Sequence, residues 1–180
     1  GYNSFGEELV GFPFQSTDRI RSSPAIGDVD NDGQMEIVFG NSSGKLYIIN
    51  QDGSQQLAYT QLGFIEGAPA LVDIDGDQDL EIIFTTTTGS GGQVYVIHHN
   101  GVTESGFPKE IGSMFAGPAV HDLDNDGVVE VVCVTYDKEI YAIEAIGGAI
   151  KSGFPFTAES RFSMPATIVD VDSDGDYEIA

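Results

Sequence analysis

The sequence predicts an all-β protein built as an array of about four repeats, and three observations support this fold class. First, a nine-residue acidic stretch begins at residues 28, 73, 122 and 170, so its copies are spaced by 45, 49 and 48 residues. Second, a short run of β-branched and aromatic residues, typical of a strand, follows each of the first three copies. Third, no helical periodicity survives the 23 glycines and seven prolines.

Each repeat is predicted to open with an inner strand of small residues that begins at or near a proline. These inner strands are predicted at 23–27, 68–72, 117–121 and 164–169. After the acidic stretch, second strands are predicted at 36–39, 81–84 and 130–133, and third strands at 45–49, 93–97 and 139–143. Polar turns at 41–44, 85–92 and 136–138 separate the second and third strands, and the longest of them, 85–92, is a candidate binding loop.

The acidic stretch itself predicts a calcium loop. Every copy carries carboxylates at positions 1, 3, 5 and 9, and such alternating hard oxygen ligands, with a backbone carbonyl near position 7, are typical of Ca²⁺ coordination. Without a cation, each close pair of these like charges would cost on the order of 4 kcal/mol at an effective dielectric constant of about 20. We therefore expect about one ion per loop, and up to four in all. The candidate ligands are Asp28, Asp30, Asp32, Gln34 and Glu36; Asp73, Asp75, Asp77, Asp79 and Glu81; Asp122, Asp124, Asp126, Val128 and Glu130; and Asp170, Asp172, Asp174, Asp176 and Glu178.

The loops differ from an EF-hand. An EF-hand loop closes with a bidentate glutamate at position 12 and lies between two helices. Here position 12 is Phe39, Phe84 or Cys133 in the first three copies, and the acid stands at position 9. Each loop is therefore predicted to join two strands.

The repeat resembles a known family. The pattern Asp-x-Asp-x-Asp-Gly-x-x-Glu, preceded by Ser-Pro-Ala or Gly-Ala-Pro-Ala and followed by an apolar strand, is similar to the FG-GAP or VCBS-type repeat of the integrin α-subunit β-propeller and its bacterial relatives. The elements of that name are present as Phe39-Gly40 and Gly67-Ala68-Pro69. The resemblance covers essentially all of residues 1–180 and implies one partial propeller of four-stranded antiparallel blades, with Ca²⁺ in the hairpin loop between the first two strands of each blade.

The second copy departs from the pattern. Its loop, 73–81, has Gly76 at position 4 and Gln78 at position 6, where the other copies have glycine. Position 6 is expected to need a left-handed backbone, which glycine adopts without penalty and glutamine does not. We still expect a cation at this loop, since Asp79 adds a carboxylate.

The composition limits the possible partners. Seven basic and 29 acidic residues give a net charge of −22, and four bound Ca²⁺ would leave about −14, which argues against nucleic acid or an anionic membrane surface. No stretch approaches the roughly 20 apolar residues of a membrane span. Calcium loops of this kind suit a calcium-rich environment, so an extracellular location, secreted or at the cell surface, is expected.

Residues outside the loops are better explained by packing than by chemistry. Equivalent third-strand tyrosines and the phenylalanines before proline are expected to pack between blades, with a carbohydrate platform as the alternative. The lone Cys133 is expected to be a buried apolar residue. His98 and His99 are expected near a turn, and a catalytic or transition-metal role for them is the alternative.

The expected function is non-catalytic adhesion or recognition of a protein or glycan ligand by a calcium-stabilised propeller segment. Two alternatives remain open: a propeller domain of a polysaccharide lyase-like enzyme, and a passive scaffold in a surface assembly. By repeat phase, Gly1 follows a third strand and Ala180 lies within a second strand, so the sequence is expected to belong to a larger propeller or assembly.

Overall fold

A computed structural model describes residues 1–162 and 164–180 as β-structure, turns and irregular segments. Fourteen strands form three four-stranded antiparallel sheets and one two-stranded hairpin. In each sheet the strands follow in chain order, as in a propeller blade, and the sheets succeed one another without closing into a ring. The predicted all-β fold of four-stranded antiparallel blades is thereby confirmed. No helix in the described part of the chain is both long and apolar enough to cross a membrane.

The strands have the following bounds. The first blade contains β1 (Ala25–Gly27), β2 (Glu36–Gly40), β3 (Lys45–Ile49) and β4 (Gln55–Thr60). The second contains β5 (Ala70–Val72), β6 (Glu81–Thr88), β7 (Gly91–Ile97) and β8 (Lys109–Ile111). The third contains β9 (Ala119–His121), β10 (Glu130–Val134), β11 (Glu139–Glu144) and β12 (Phe156–Thr157), and the hairpin pairs β13 (Ile168–Val169) with β14 (Glu178–Ile179).

Apolar side chains fill the spaces between neighbouring blades. Between the first and second blades, Leu46 and Ile48 pack with Ile82 in one buried cluster. In the same cluster Phe84 stacks on Tyr95 with ring centroids 4.8 Å apart, and Tyr59 of the first blade meets both rings edge-on. Each fully buried side chain of this size stabilises the fold by about 1.5–3 kcal/mol relative to exposure. Tyr95 therefore packs between blades, in the way expected from the sequence.

The segment before β1 covers the outer side of the first blade. Phe14 contacts Phe39 and Tyr47 edge-on, with ring centroids 6.0 and 5.3 Å away. Thr17 meets the Tyr47 hydroxyl at 2.9 Å. These contacts bury Tyr47 almost completely, so the first blade has packed aromatic residues on both faces.

The inner strands converge where two glycines meet. A Cβ atom on Gly67 would clash with the backbone of Gly117, and one on Gly117 would clash with the backbone of Ala68. Any larger residue at either position would push the second and third blades apart. The Gly-Ala-Pro element of the repeat is thus a point of backbone contact between blades.

The turn predicted at 85–92 is wrong. β6 continues through Thr88 and β7 begins at Gly91, so only residues 89–90 form the turn. Thr85, Thr86 and Thr87 are buried, and the Thr85 hydroxyl donates to the carbonyl of Ala116 in the next repeat at 2.9 Å. β-branched threonines favour strands, and the Thr85 hydroxyl finds a partner in the next repeat, so this polar run forms a strand rather than a binding loop.

Candidate metal centres in the acidic loops

Each acidic loop joins the first and second strands of its blade. The strand pair flanking the loop is in register, with Gly27 opposite Glu36 in the first blade and Val72 opposite Glu81 in the second. His121 pairs with Glu130, and Val169 with Glu178, in the same way. The loop between two strands predicted from the sequence is therefore observed in all four copies.

The carboxylate at position 1 organises the loop backbone. Its Oδ2 atom accepts a hydrogen bond from the amide of position 6 in every copy. The donors are Gly33, Gln78, Gly127 and Gly175, with donor-to-acceptor distances of 2.9, 3.1, 2.9 and 3.1 Å. Its Oδ1 atom accepts from position 5 in the first and third copies, and from position 4 in the second and fourth. Position 1 thus acts as a local template for the turn.

Two residues per loop adopt a left-handed backbone. Position 6 has positive φ in every copy, at 87°, 90° and 99° for the three glycines and 79° for Gln78. Position 4 has positive φ as well, in Asn31, Gly76, Asn125 and Ser173. The left-handed backbone expected at position 6 is thereby observed, and at Gln78 this conformation has a steric cost because glutamine has a Cβ atom.

The glutamate at position 9 fixes the base of the loop. Its Oε2 atom accepts the amide of position 2, from Val29, Ile74, Leu123 and Val171, at 3.0, 3.0, 2.8 and 2.8 Å. Glu36, Glu81 and Glu130 are buried. One carboxylate oxygen is therefore tied to the backbone while the other remains for a further partner.

Burial and neighbouring acids disfavour ionisation of two of these glutamates. Desolvation raises the pKa of Glu36 above its ordinary value, although the Val29 amide opposes this, and nearby aspartates raise it further. Desolvation likewise raises the pKa of Glu81, against the opposing effects of the Ile74 amide and His98. A bound cation would favour the charged form of both side chains.

Three carboxylates meet within 4.8 Å of one another in each loop. In the first loop these are positions 1, 3 and 5, and in the other loops positions 1, 3 and 9. The groups are Asp28, Asp30 and Asp32; Asp73, Asp75 and Glu81; Asp122, Asp124 and Glu130; and Asp170, Asp172 and Glu178. The predicted ligands Glu36, Asp77, Asp126 and Asp174 are outside these groups, and the three aspartates accept the amide of position 7, as Asp32 also does. A ligand role for the position 7 carbonyls of Gln34, Asp79, Val128 and Asp176 stays a prediction.

The donor sets fit calcium. All grouped atoms are carboxylate oxygens, which Ca²⁺ prefers. Two oxygens are also buried without a hydrogen-bond partner, Oδ1 of Asp30 and Oε1 of Glu81. Oε1 of Glu81 lies 2.9 Å from His98 Nδ1, but the two atoms are not aligned as a hydrogen bond, and the pair is ionic only when His98 is protonated. Buried acceptors without donors are expected where an ion supplies the missing partner.

Sequence reasoning missed side chains that reach the loops from residues beyond the third strand of each four-stranded blade. His98 lies between Glu81 and Glu104, and His99 lies 3.3 Å from Asp79. In the first blade Gln56 Nε2 donates to Asp30 Oδ2 at 2.9 Å, and in the third Lys151 lies between Asp124 and Glu130. The available signal was strand register, because the pairing of Ile82 with Ile97 brings the next residue, His98, beside Glu81.

Neighbouring loops also contact each other. The Leu80 amide, from the second loop region, donates to the Val29 carbonyl of the first at 3.1 Å. The Asn125 side chain of the third loop donates to the Gly175 carbonyl of the fourth at 3.0 Å.

Cys133 lies in β10 and is buried. Desolvation raises the pKa of its thiol to about 12, so the thiolate is scarce at neutral pH. The packing role expected for this residue agrees with its position in the cluster between the second and third blades.

Similarity to solved structures concerns the fold. The V. cholerae biofilm matrix protein Bap1 matches with a TM-score of 0.60 and 20% identity over 90% of this chain and 28% of that chain. BamB from Moraxella catarrhalis matches with a TM-score of 0.58 and 21% identity over 87% of this chain and 43% of that chain. This chain thus spans less than half the length of either protein. No curated protein sequence is significantly similar to it.

The family comparison agrees with the loop geometry. The model of the FG-GAP-like repeat matches residues 28–84 and 73–133, which contain the first three acidic loops and the strands around them. This match covers more than half of the chain. The chain therefore belongs to the FG-GAP-like repeat family.

Proposed function

We propose that this chain is a non-catalytic, calcium-stabilised β-propeller segment of a secreted or cell-surface protein, where it mediates adhesion or ligand recognition. One observation carries the proposal: in all four acidic loops the position 1 carboxylate accepts the position 6 amide and lies in a group of three converging carboxylates that always includes positions 1 and 3.

The proposed role of calcium is structural. The carboxylates at positions 1 and 3, with position 5 or 9, would hold the ion and would lose their mutual repulsion on binding it. Calcium bound only to the folded loop adds its binding free energy to the free energy of unfolding. At a calcium concentration about 100 times the Kd, this contribution is about 2.7 kcal/mol per site.

The arrangement of the acids supports a non-catalytic role. The carboxylates at positions 1 and 9 accept backbone amides, so their task is to hold the loop. Of the basic side chains, Arg21 pairs with Glu66, while Lys109 and Lys138 donate to backbone carbonyls. These contacts give no specific support to the alternative of a lyase-like enzyme.

A surface location and a recognition role are supported by charge and by analogy. A net charge of −22 is hard to reconcile with nucleic acid as partner. Calcium sites of extracellular modules are often weak, with Kd values of roughly 10⁻⁴ to 10⁻³ M, and such sites fill only outside the cytosol. A biofilm matrix protein shares this fold, which is in keeping with a protein or glycan ligand at a surface.

Thermal unfolding tests the calcium role. Excess chelator is expected to lower the Tm by several degrees per emptied site, at about 2–4 °C for each kcal/mol. Asp30→Asn and Asp124→Asn are each expected to weaken calcium binding, because each removes a carboxylate from a converging group. A melting curve unchanged by chelator would contradict the structural role.

Binding and degradation assays test the recognition role. Immobilised glycans and matrix proteins are incubated with the folded protein in calcium and in chelator, and calcium-dependent retention on one class of ligand is expected. Retention on none of the ligands would favour a passive scaffold. Cleavage of a glycan by the protein would favour the enzyme alternative.

A further inference from the structure

A lysine ammonium group lies among the acids of the third loop. Lys151 Nζ is 2.7 Å from Asp124 Oδ2 and 3.0 Å from Glu130 Oε1. The Lys151 side chain is 19% exposed and that of Glu130 is 0% exposed, so this contact is shielded from water. Asp124 and Glu130 are two of the three carboxylates that converge in this loop.

The position of Lys151 in its repeat recurs in the other blades. Lys151 follows Ile150, which bridges to Ile143 at the end of the third strand. Gln56 follows Gln55, which pairs with Ile49 at the same place in the first blade. In the second blade the equivalent residue is Glu104, which follows Thr103 opposite Ile97.

The three equivalent residues present different charges to similar loops. Gln56 offers a neutral amide, which donates to Asp30 Oδ2 at 2.9 Å. Glu104 is acidic and reaches its loop only through His98. Lys151 brings a positive charge onto the oxygens themselves. The residue at this position therefore sets how far the chain itself neutralises each loop.

We propose that Lys151 is a resident counter-cation of the third loop, so that this loop keeps its shape without calcium and binds calcium at least tenfold more weakly than the first loop. The comparison of affinities rests on the calcium role proposed above. The physical reason is competition: an ion entering the third loop needs Asp124 and Glu130, the oxygens that Lys151 occupies, and two like charges repel at this distance. Binding must first displace the ammonium group.

An exchange of the two equivalent residues tests the affinity difference. Calcium is titrated into ¹⁵N-labelled protein, and the amide resonances of Gly33 and Gly127 report the first and third loops separately, because each amide donates to the position 1 carboxylate of its own loop. In the wild type, the midpoint for Gly127 is expected at a calcium concentration at least tenfold above that for Gly33. Lys151→Gln is expected to lower the Gly127 midpoint at least tenfold, and Gln56→Lys to raise the Gly33 midpoint by a similar factor.

Thermal melts in excess chelator test the counter-cation role without any bound metal. Lys151→Gln is expected to lower the Tm by about 5 °C, because it leaves the buried Glu130 carboxylate facing Asp124 without a compensating charge. Saturating calcium is expected to restore most of this loss. The matched control is Lys138→Gln, which removes the same charge from a half-buried lysine whose ammonium group donates to the Glu159 carbonyl and forms no salt bridge within the described residues. Its Tm is expected to stay within 1–2 °C of the wild type.

The outcomes separate this inference from the proposed calcium role. Equal midpoints for Gly33 and Gly127 in the wild type, or an unchanged Tm for Lys151→Gln in chelator, would overturn the inference while leaving calcium binding intact. If neither glycine responds to calcium but Lys151→Gln still lowers the Tm, the calcium role fails and the counter-cation role is supported. If Lys151→Gln does not fold even in calcium, the wild-type midpoints and Gln56→Lys decide the affinity difference.

Discussion

The second loop offers a direct test of backbone strain, through the substitution Gln78→Gly. Gln78 has a φ of 79°, and the equivalent residues of the other three loops are glycines with φ between 87° and 99°. The Gln78 amide donates to Asp73 Oδ2 at 3.1 Å, and glycine would keep this hydrogen bond. The side chain is exposed, so its removal changes little besides the conformational preference of residue 78.

The expected gain follows from two opposing effects. A left-handed backbone costs a residue with a Cβ atom about 1–2 kcal/mol, and glycine removes this cost. Glycine also gives the unfolded chain more freedom, which costs about 0.4–1 kcal/mol. The net stabilisation is therefore about 0.5–1 kcal/mol, or a rise in Tm of about 1–4 °C for a chain of this size.

Differential scanning calorimetry in chelator and in calcium measures this shift. Gly33→Gln in the first loop is the matched reverse substitution: a Cβ atom on Gly33 would meet no atom within 4 Å, so only backbone strain changes. It is expected to lower the Tm by a similar amount. A fall in Tm for Gln78→Gly, or no fall for Gly33→Gln, would refute the assignment of strain to this position.

Two further predictions concern the buried glutamates and the blade interface. Burial raises the pKa of Glu36 and Glu81 in the folded protein. Their contribution to the free energy of unfolding is therefore fully present below the unfolded pKa of 4.5 and is lost as pH rises through the folded pKa. The calcium-free protein should thus lose stability as pH rises above 4.5. Urea titrations at several pH values measure this loss, and the double variant Glu36→Gln with Glu81→Gln should show a smaller slope of the free energy of unfolding against pH. Equal slopes for the variant and the wild type would contradict the argument. Gly40→Ala should cost about 1–3 kcal/mol in the same urea assay, because its Cβ would clash with Ile65, and adding Ile65→Ala should give a smaller loss than the two single changes combined.

The conformation of the acidic loops could be predicted from the sequence because it is local. The carboxylate of Asp28 bonds the amide of Gly33 only five residues away, and Glu36 bonds the amide of Val29 seven residues away. A single nonapeptide therefore contains both the template and the residues it shapes. The left-handed backbone at Gln78 followed from the same local pattern.

The contacts that the loops receive from residues beyond the third strands could not be predicted in this way. Lys151 lies 21 residues after Glu130, and its approach to that side chain depends on strand register, which hydrophobic periodicity does not determine. In the first blade the register even shifts between Ile48 and Ile49. The sequence predicts a turn at the threonine run of β6, and the structure differs because the burial of this run depends on the neighbouring repeat, where Ala116 supplies the hydrogen-bond acceptor.

The meeting of Gly67 and Gly117 has a consequence for the geometry of any ring built from such blades. The angle between neighbouring blades around a central axis depends on how closely their inner strands can approach each other. The absence of a side chain at these two residues permits that approach, while buried side chains such as Ile83 and Val131 separate the same sheets further out. The number of blades that complete a ring is therefore governed by the small residues where the inner strands meet as well as by the larger side chains between the sheets.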